Sequence, residues 1–165
     1  VSKSSLERQF KDAVYQMKLT RREPMYPDAN STMRITFGKV RPLQPRDAVS
    51  LASKTSVAGI LEKYDPDNYD FTLRPEVRDL LEKNTSVPVN FLTDNDITGG
   101  NSGSPVLNAR GELVGLAFDG NKESLSGDTY FVESMNRCIC VDLRYVLWIL
   151  RDYAHMDTLL SEILP

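Results

Sequence analysis

The stretch TGGNSGSPVLNARGELVGLAFDG, Thr98–Gly120, decides how the chain is read. Its first half is turn chemistry, with three glycines and two serines ahead of Pro105. Its second half is two apolar runs, Ser104–Asn108 and Glu112–Phe118, joined by NARG, whose glycine suits a hairpin turn at positive φ. The layout is loop, strand, hairpin, strand, polar stop. Gly-Asn-Ser-Gly taken alone has two readings: a plain turn, or a loop that holds Ser102 at its tip. Gly100 and Gly103 permit backbone conformations that aim successive N–H groups into one concavity. An acyl-transfer serine needs such donors for the developing oxyanion, and it needs a base. The whole chain offers one histidine. A hydrolase elbow is disfavoured, because that motif is Gly-x-Ser-x-Gly between strand and helix. Here Ser104 stands at the last Gly position and a strand follows.

The 165 residues suffice for one domain with a core. Hydrophobic residues make up 41% and charged residues 26%, with net charge −3. No basic stripe argues for nucleic acid. The apolar stretch Tyr145–Leu150 is far short of the roughly 20 residues that span a bilayer. The chain opens on VSKSSLERQF rather than on Met. This is read as a cut, so the opening is silent on compartment. The two cysteines, Cys138 and Cys140, would share one face of a strand with Cα atoms about 6.7 Å apart. That is the outer limit for a disulfide, so two buried thiols are expected. Two ligands alone also make a poor zinc site.

Around the central stretch, strands dominate the middle of the chain and helices the ends. Leu6, Phe10, Val14 and Met17 fall on one stripe and predict a helix over Ser5–Met17, ended by Arg21, Arg22 and Pro24. Tyr26–Ser31 reads as a turn. Thr32–Val40 alternates, with Met33, Ile35 and Phe37 on one face, and predicts a half-buried strand. Arg41–Ser50 carries two prolines and reads as a loop. Ser56–Lys63 is expected to be a strand and Asp65–Tyr69 a polar turn. Arg74–Lys83, with Pro75 early, is a short helix. Val87–Leu92 and Arg137–Val141 are strands, and Asp119–Asp128 is a loop. Asp142 is a plausible N-cap for a helix to about Tyr153. Asp157–Leu164 is a last helical piece. DPDNYD, Asp65–Asp70, lacks the glycine and distal glutamate of a calcium loop and reads as a solvated turn.

The long central stretch resembles the nucleophile loop of chymotrypsin-like serine peptidases. With YPDANSTMRITFGKV, FDGN and VDLRYVLWIL added, the chain from about Tyr26 onward is similar to the bacterial dipeptidyl peptidases of types seven and eleven, and closer to type seven. The resemblance implies the following expectations. The fold is mainly β with flanking helices, the C-terminal part of a chymotrypsin-like double β-barrel. Residues 1–24 are the end of an upstream helical domain, and residues 25–165 belong to the barrel domain with its C-terminal helices. The activity is release of dipeptides from free N-termini by acyl transfer, with no cofactor and no metal. The partner is a peptide with a free N-terminus, with no nucleic acid and no membrane, in a periplasmic or secreted enzyme that is a homodimer.

The resemblance also implies roles for single residues. Ser102 is the nucleophile, and the N–H groups of Ser102 and Gly100 are the oxyanion donors. Asp119 binds the substrate's α-ammonium group. Gly120 stands where the acid-specific type carries Arg, so it implies a hydrophobic residue on the amino side of the cut bond (P1). Asn101 is expected to serve the turn rather than the chemistry. Lys122 stands where an aromatic residue is expected. His155 is expected to be a surface or helix-end residue, because the family's His and Asp precede the serine by far. The chain would then be inactive alone. Two other classes stay open: a relative that binds peptide N-termini without cutting, and an endopeptidase of the same fold.

Overall fold

The computed structural model describes residues 2–23, 33–125, 127 and 130–164. The chain divides into two units, Val1–Thr32 and Met33–Pro165. The first holds helix α1, Lys3–Arg21, which starts two residues before and ends four residues after the Ser5–Met17 span that its apolar stripe predicts. Ser2 caps it by accepting from Ser5 N, and Arg22, at φ 55°, ends it in the left-handed region. It buries none of its side chains, and Phe10 is 65% exposed. The expected turn at Tyr26–Ser31 lies outside the described residues, as does Thr32.

In the second unit, Met33–Lys39 forms neither a helix nor a ladder among the described residues; Val40 alone bridges Thr93. The strand expected over Thr32–Val40 is therefore corrected. Met33 and Phe37 are 89% and 86% exposed, so the alternation lacks the surface that would bury it. A strand needs a neighbour for its backbone as much as a pattern of side chains. The loop expected over Arg41–Ser50 is a hairpin instead: β1 (Leu43–Arg46) pairs with β2 (Val49–Leu51) around Ala48 at φ 60°. Pro45 is tolerated because the sheet has only these two strands, both of them edges.

The strand expected at Ser56–Lys63 is also corrected. Strand β3 is Lys54–Ser56, and helix α2 takes over at Val57–Glu62. Val57, Ile60 and Leu61 keep helical spacing, and a short apolar run of this kind cannot by itself be told from a strand. The loop before β4 satisfies the first free N–H groups of α2, with Val57 N donating to Val87 O and Ala58 N to Thr85 O. Helix α3 (Pro75–Glu82) starts on Pro75 as expected, and Asp65–Tyr69 is a turn closed by Asn68 N donating to Asp65 O.

Strands β4 (Pro88–Thr93), β5 (Pro105–Leu107), β6 (Leu113–Gly120) and β7 (Cys138–Asp142) join β3 in one antiparallel sheet of order β3-β4-β7-β6-β5. The described strands form an open sheet and a hairpin, not a closed barrel. One core gathers Phe91, Ala117, Cys138 and Cys140; another gathers Val57, Leu81 and Trp148. Cys138 and Cys140 are buried free thiols with their sulfurs 3.6 Å apart. The hydrogen bond with Cys140, then burial, holds the Cys138 thiol well above the usual range.

Gly115 leaves no room for a side chain in the sheet. A Cβ there would lie 2.5 Å from Val141 O and 2.8 Å from Phe91 Cε1. Gly115→Ala is expected to cost about 1–3 kcal/mol through overpacking, read as a lower denaturation midpoint. An unchanged midpoint would show that the β6–β7 crossing has slack.

Asp142 caps helix α4 (Leu143–Trp148), accepting from Arg144 N at 3.0 Å. A turn of π-helix, Ile149–Tyr153, and helix α5 (Asp157–Ile163) follow. The Asp142 carboxylate also takes a two-point contact from Arg144, at 2.9 and 2.7 Å. That contact holds its pKa below the ordinary carboxylate value against the opposing effect of burial. A depressed folded pKa gives stability that is present above the unfolded value and lost as pH falls through the folded one. Asp142→Ala is expected to cost about 1–2 kcal/mol at neutral pH. The gap to the parent chain should narrow below about pH 4, in denaturation curves at pH 7 and pH 3.

Candidate active site

The loop between β4 and β5 is built by its own short-range bonds. Thr98 N donates to Asn101 Oδ1 at 3.0 Å, and Asn101 N donates back to Thr98 O at 3.2 Å. Ser104 N then donates to Asn101 O at 3.0 Å. Gly100 and Gly103 take φ of 98° and 81°, a region that strains other residues. The Asn101 side chain is thus a turn element, as the sequence suggested. Arg34 Nη1 donates to Thr98 Oγ1 at 3.3 Å and ties the Met33–Lys39 segment to the base of the loop. On the far side, Gly103 N donates to Ala117 O at 2.7 Å and Ala117 N to Ser104 O at 2.9 Å. The loop is clamped against β6, and Ser102 is carried at its exposed tip with Oγ donating to Phe118 O at 3.5 Å.

Beside Ser102 opens a cavity of about 230 Å³. It joins Ser102, Asp119 and Gly120, and the turn residue Asn101 lines it as well. Asp119 is exposed near the end of β6, and its Oδ1 accepts from Gly120 N at 2.7 Å. Gly100 belongs to the loop but not to the cavity lining. Lys122 is exposed on a short 3-10 turn, Lys122–Ser124, also outside the lining. His155 is an exposed residue at φ 51° between the π-helical turn and α5, likewise outside it.

Sequence reasoning missed the residues that hold the cavity's far wall. Asn121 accepts from Arg137 N through Oδ1 at 2.7 Å, and its Nδ2 donates to Met135 O at 2.9 Å. Arg137 is buried and gives its guanidinium to carbonyls: twice to Pro42 O, at 3.1 and 3.0 Å, and to Glu133 O and Asn136 O. One cationic side chain therefore pins the β1 approach, the Glu133–Asn136 turn and the cavity wall together. The only sequence signal was an arginine opening an apolar strand. Among the described residues no cluster of three or more His, Cys, Asp or Glu side chains could hold a metal ion, and no helix is long and apolar enough to cross a membrane.

The class so defined is an antiparallel β-protein with helices, whose sheet walls a cavity beside an exposed serine on a glycine loop. The chain belongs to the peptidase S46 family, whose sequence model matches residues 2–165. It is 47% identical over 149 residues to dipeptidyl-peptidase 7 of Phocaeicola vulgatus, covering 85% of this chain and 21% of that protein. It is 43% identical over 148 residues to the Asp/Glu-specific dipeptidyl-peptidase of Porphyromonas endodontalis, covering 84% and 21%. Among solved structures, DPP11 of Porphyromonas endodontalis in complex with the dipeptide Arg-Glu superposes with a TM-score of 0.84 at 40% identity, covering 92% of this chain and 23% of that one. The chain therefore spans about a fifth of the length of these relatives. The family expected from the quoted motifs is the family found.

Proposed function

We propose that this chain is the nucleophile-bearing part of a serine dipeptidyl peptidase. Its open sheet would then be one side of a chymotrypsin-type barrel completed by further polypeptide. The observation that carries the reading is the single cavity shared by Ser102, Asp119 and Gly120. Ser102 Oγ attacks the carbonyl that follows the second residue of a peptide, and a base takes its proton. That base is a histidine outside this chain, oriented by an acid, because His155 stands apart from the cavity lining. The N–H groups of Ser102 and Gly100 stabilise the tetrahedral oxyanion. Collapse expels the amine of the remaining peptide, and water releases the dipeptide from Ser102. Asp119 holds the substrate's α-ammonium group, so cutting is measured from the free end. The relatives include enzymes named for Asp/Glu specificity, and Gly120 here brings no cation to the cavity.

The test is reporter release by the full-length polypeptide from dipeptidyl substrates with hydrophobic or acidic P1. The expected result is cleavage of the hydrophobic series. Preference for acidic P1 would refute the role given to Gly120. No cleavage of either series would turn the reading toward a module that binds peptide N-termini.

A further inference from the structure

The space in front of Gly120 is filled. A Cβ placed on Gly120 would lie 2.5 Å from Ser124 Oγ and 3.7 Å from Ser124 Cβ. Ser124 ends the 3-10 turn and lines the same cavity as Ser102 and Asp119. Two bonds to one carbonyl hold it: N donates to Asn121 O at 2.9 Å and Oγ to the same oxygen at 2.7 Å. Its own carbonyl accepts from Gly127 N at 2.7 Å. Asn121 in turn is fixed through Arg137 N and Met135 O. The hydroxyl is thus held by its bond to Asn121 O, on a residue whose backbone is bonded through both N and O.

A serine hydroxyl has one proton and two acceptor lone pairs. The proton is committed to Asn121 O, so what remains for a ligand above Gly120 is acceptor character only. We propose that Ser124 is a specificity-determining residue for P1: its Oγ, standing over Gly120, limits the depth of the subsite and sets acceptor lone pairs against an acidic side chain. The proposal rests on reading this cavity as the P1 subsite. A carboxylate is itself acceptor-only when ionised, so it meets no donor from Ser124 and no cation at position 120. An apolar P1 side chain needs no partner there and is limited only by volume. Glycine at 120 and serine at 124 act together, because any larger residue at 120 must first displace the Ser124 hydroxyl from its bond to Asn121.

The test uses the full-length polypeptide, with dipeptidyl reporters whose P1 is Ala, Leu or Phe, and the variants Ser124→Ala and Ser124→Thr. Threonine keeps a hydroxyl for Asn121 O and adds a methyl group; alanine removes the oxygen. The readout is the ratio of kcat/KM for P1 Phe to that for P1 Ala, which a general loss of folding leaves unmoved. The ratio should rise about three- to tenfold in Ser124→Ala and fall by a similar factor in Ser124→Thr, in the range one methyl-sized change in a hydrophobic pocket produces. Equal factors for all P1 residues, or a ratio that ignores the order Ala, Ser, Thr, would overturn the proposal while leaving the peptidase reading intact. Release of no reporter by the parent protein would overturn both.

Discussion

Ser102→Ala is expected to lower dipeptide release by the full-length polypeptide roughly 10⁴- to 10⁶-fold in kcat, the scale seen when a serine nucleophile is removed from an assembled site. Folding should survive the change. Ser102 is exposed, and the loop's shape rests on Thr98, Asn101, Gly103 and Ala117 through bonds that leave out the Ser102 side chain. The variant's denaturation midpoint should therefore stay within about 0.5 kcal/mol of the parent's. Loss of activity with unchanged stability assigns the chemistry to Oγ. Retention of more than a tenth of the parent rate would remove Ser102 from the reaction, and the loop would revert to the plain hairpin turn its Gly-Asn-Ser-Gly core also allows. Mass spectrometry gives a second view: a fluorophosphonate should label the parent at Ser102 and leave the alanine variant unlabelled.

The fold was legible where pattern and partner lie close together in the chain. The hairpin of β5 and β6 is one such case, with NARG turning at Gly111, φ 78°. So is α4, capped by Asp142. Legibility failed where the answer depended on distant neighbours. Met33–Val40 has a strand's alternation but no described ladder, because side-chain period carries no information about which backbone will sit alongside. Helix α2, Val57–Glu62, falls inside the strand expected over Ser56–Lys63 because a short apolar run satisfies both periods; the loop ahead of β4, which accepts its first N–H groups, resolves the choice. Pro42 and Pro45 suggest a loop, yet Pro42 only precedes β1, and Pro45 lies in an edge strand that tolerates it.

The candidate site divides in the same way. Ser102, Asp119 and Gly120 could be picked out through the family resemblance, which one continuous stretch of loop, hairpin and strand carries. Antiparallel pairing of β5 with β6 then returns the strand end to the loop. The wall opposite could not be picked out. Arg137 and Ser124 look like an ordinary charge and an ordinary loop serine in the sequence. What sets them apart is what they touch: Arg137 reaches Pro42 O, 95 residues away, and Ser124 fills the space in front of Gly120.

Asp119→Asn separates an exopeptidase from an endopeptidase of the same fold. The Asp119 Oδ1 already accepts from Gly120 N at 2.7 Å, which fixes the direction of the carboxylate. Asparagine can keep that bond, so the substitution removes the charge and leaves the backbone as it is. A hydrogen bond to a charged group contributes about 1.5–3 kcal/mol, so kcat/KM for substrates with a free N-terminus should fall roughly 10- to 150-fold. Substrates with an acetylated N-terminus, poor from the start, should be no poorer. The pH dependence provides an independent check. The α-ammonium group titrates near 7.7–8.0, so turnover by the parent at limiting substrate should decline as pH rises through that range, when the cation proposed to meet Asp119 is lost. In Asp119→Asn this decline should flatten, since no charge remains to recognise the ammonium. If the variant keeps the parent's kcat/KM on free and blocked substrates alike, Asp119 is not an anchor, and the cavity beside Ser102 serves an enzyme that cuts without reading the chain end.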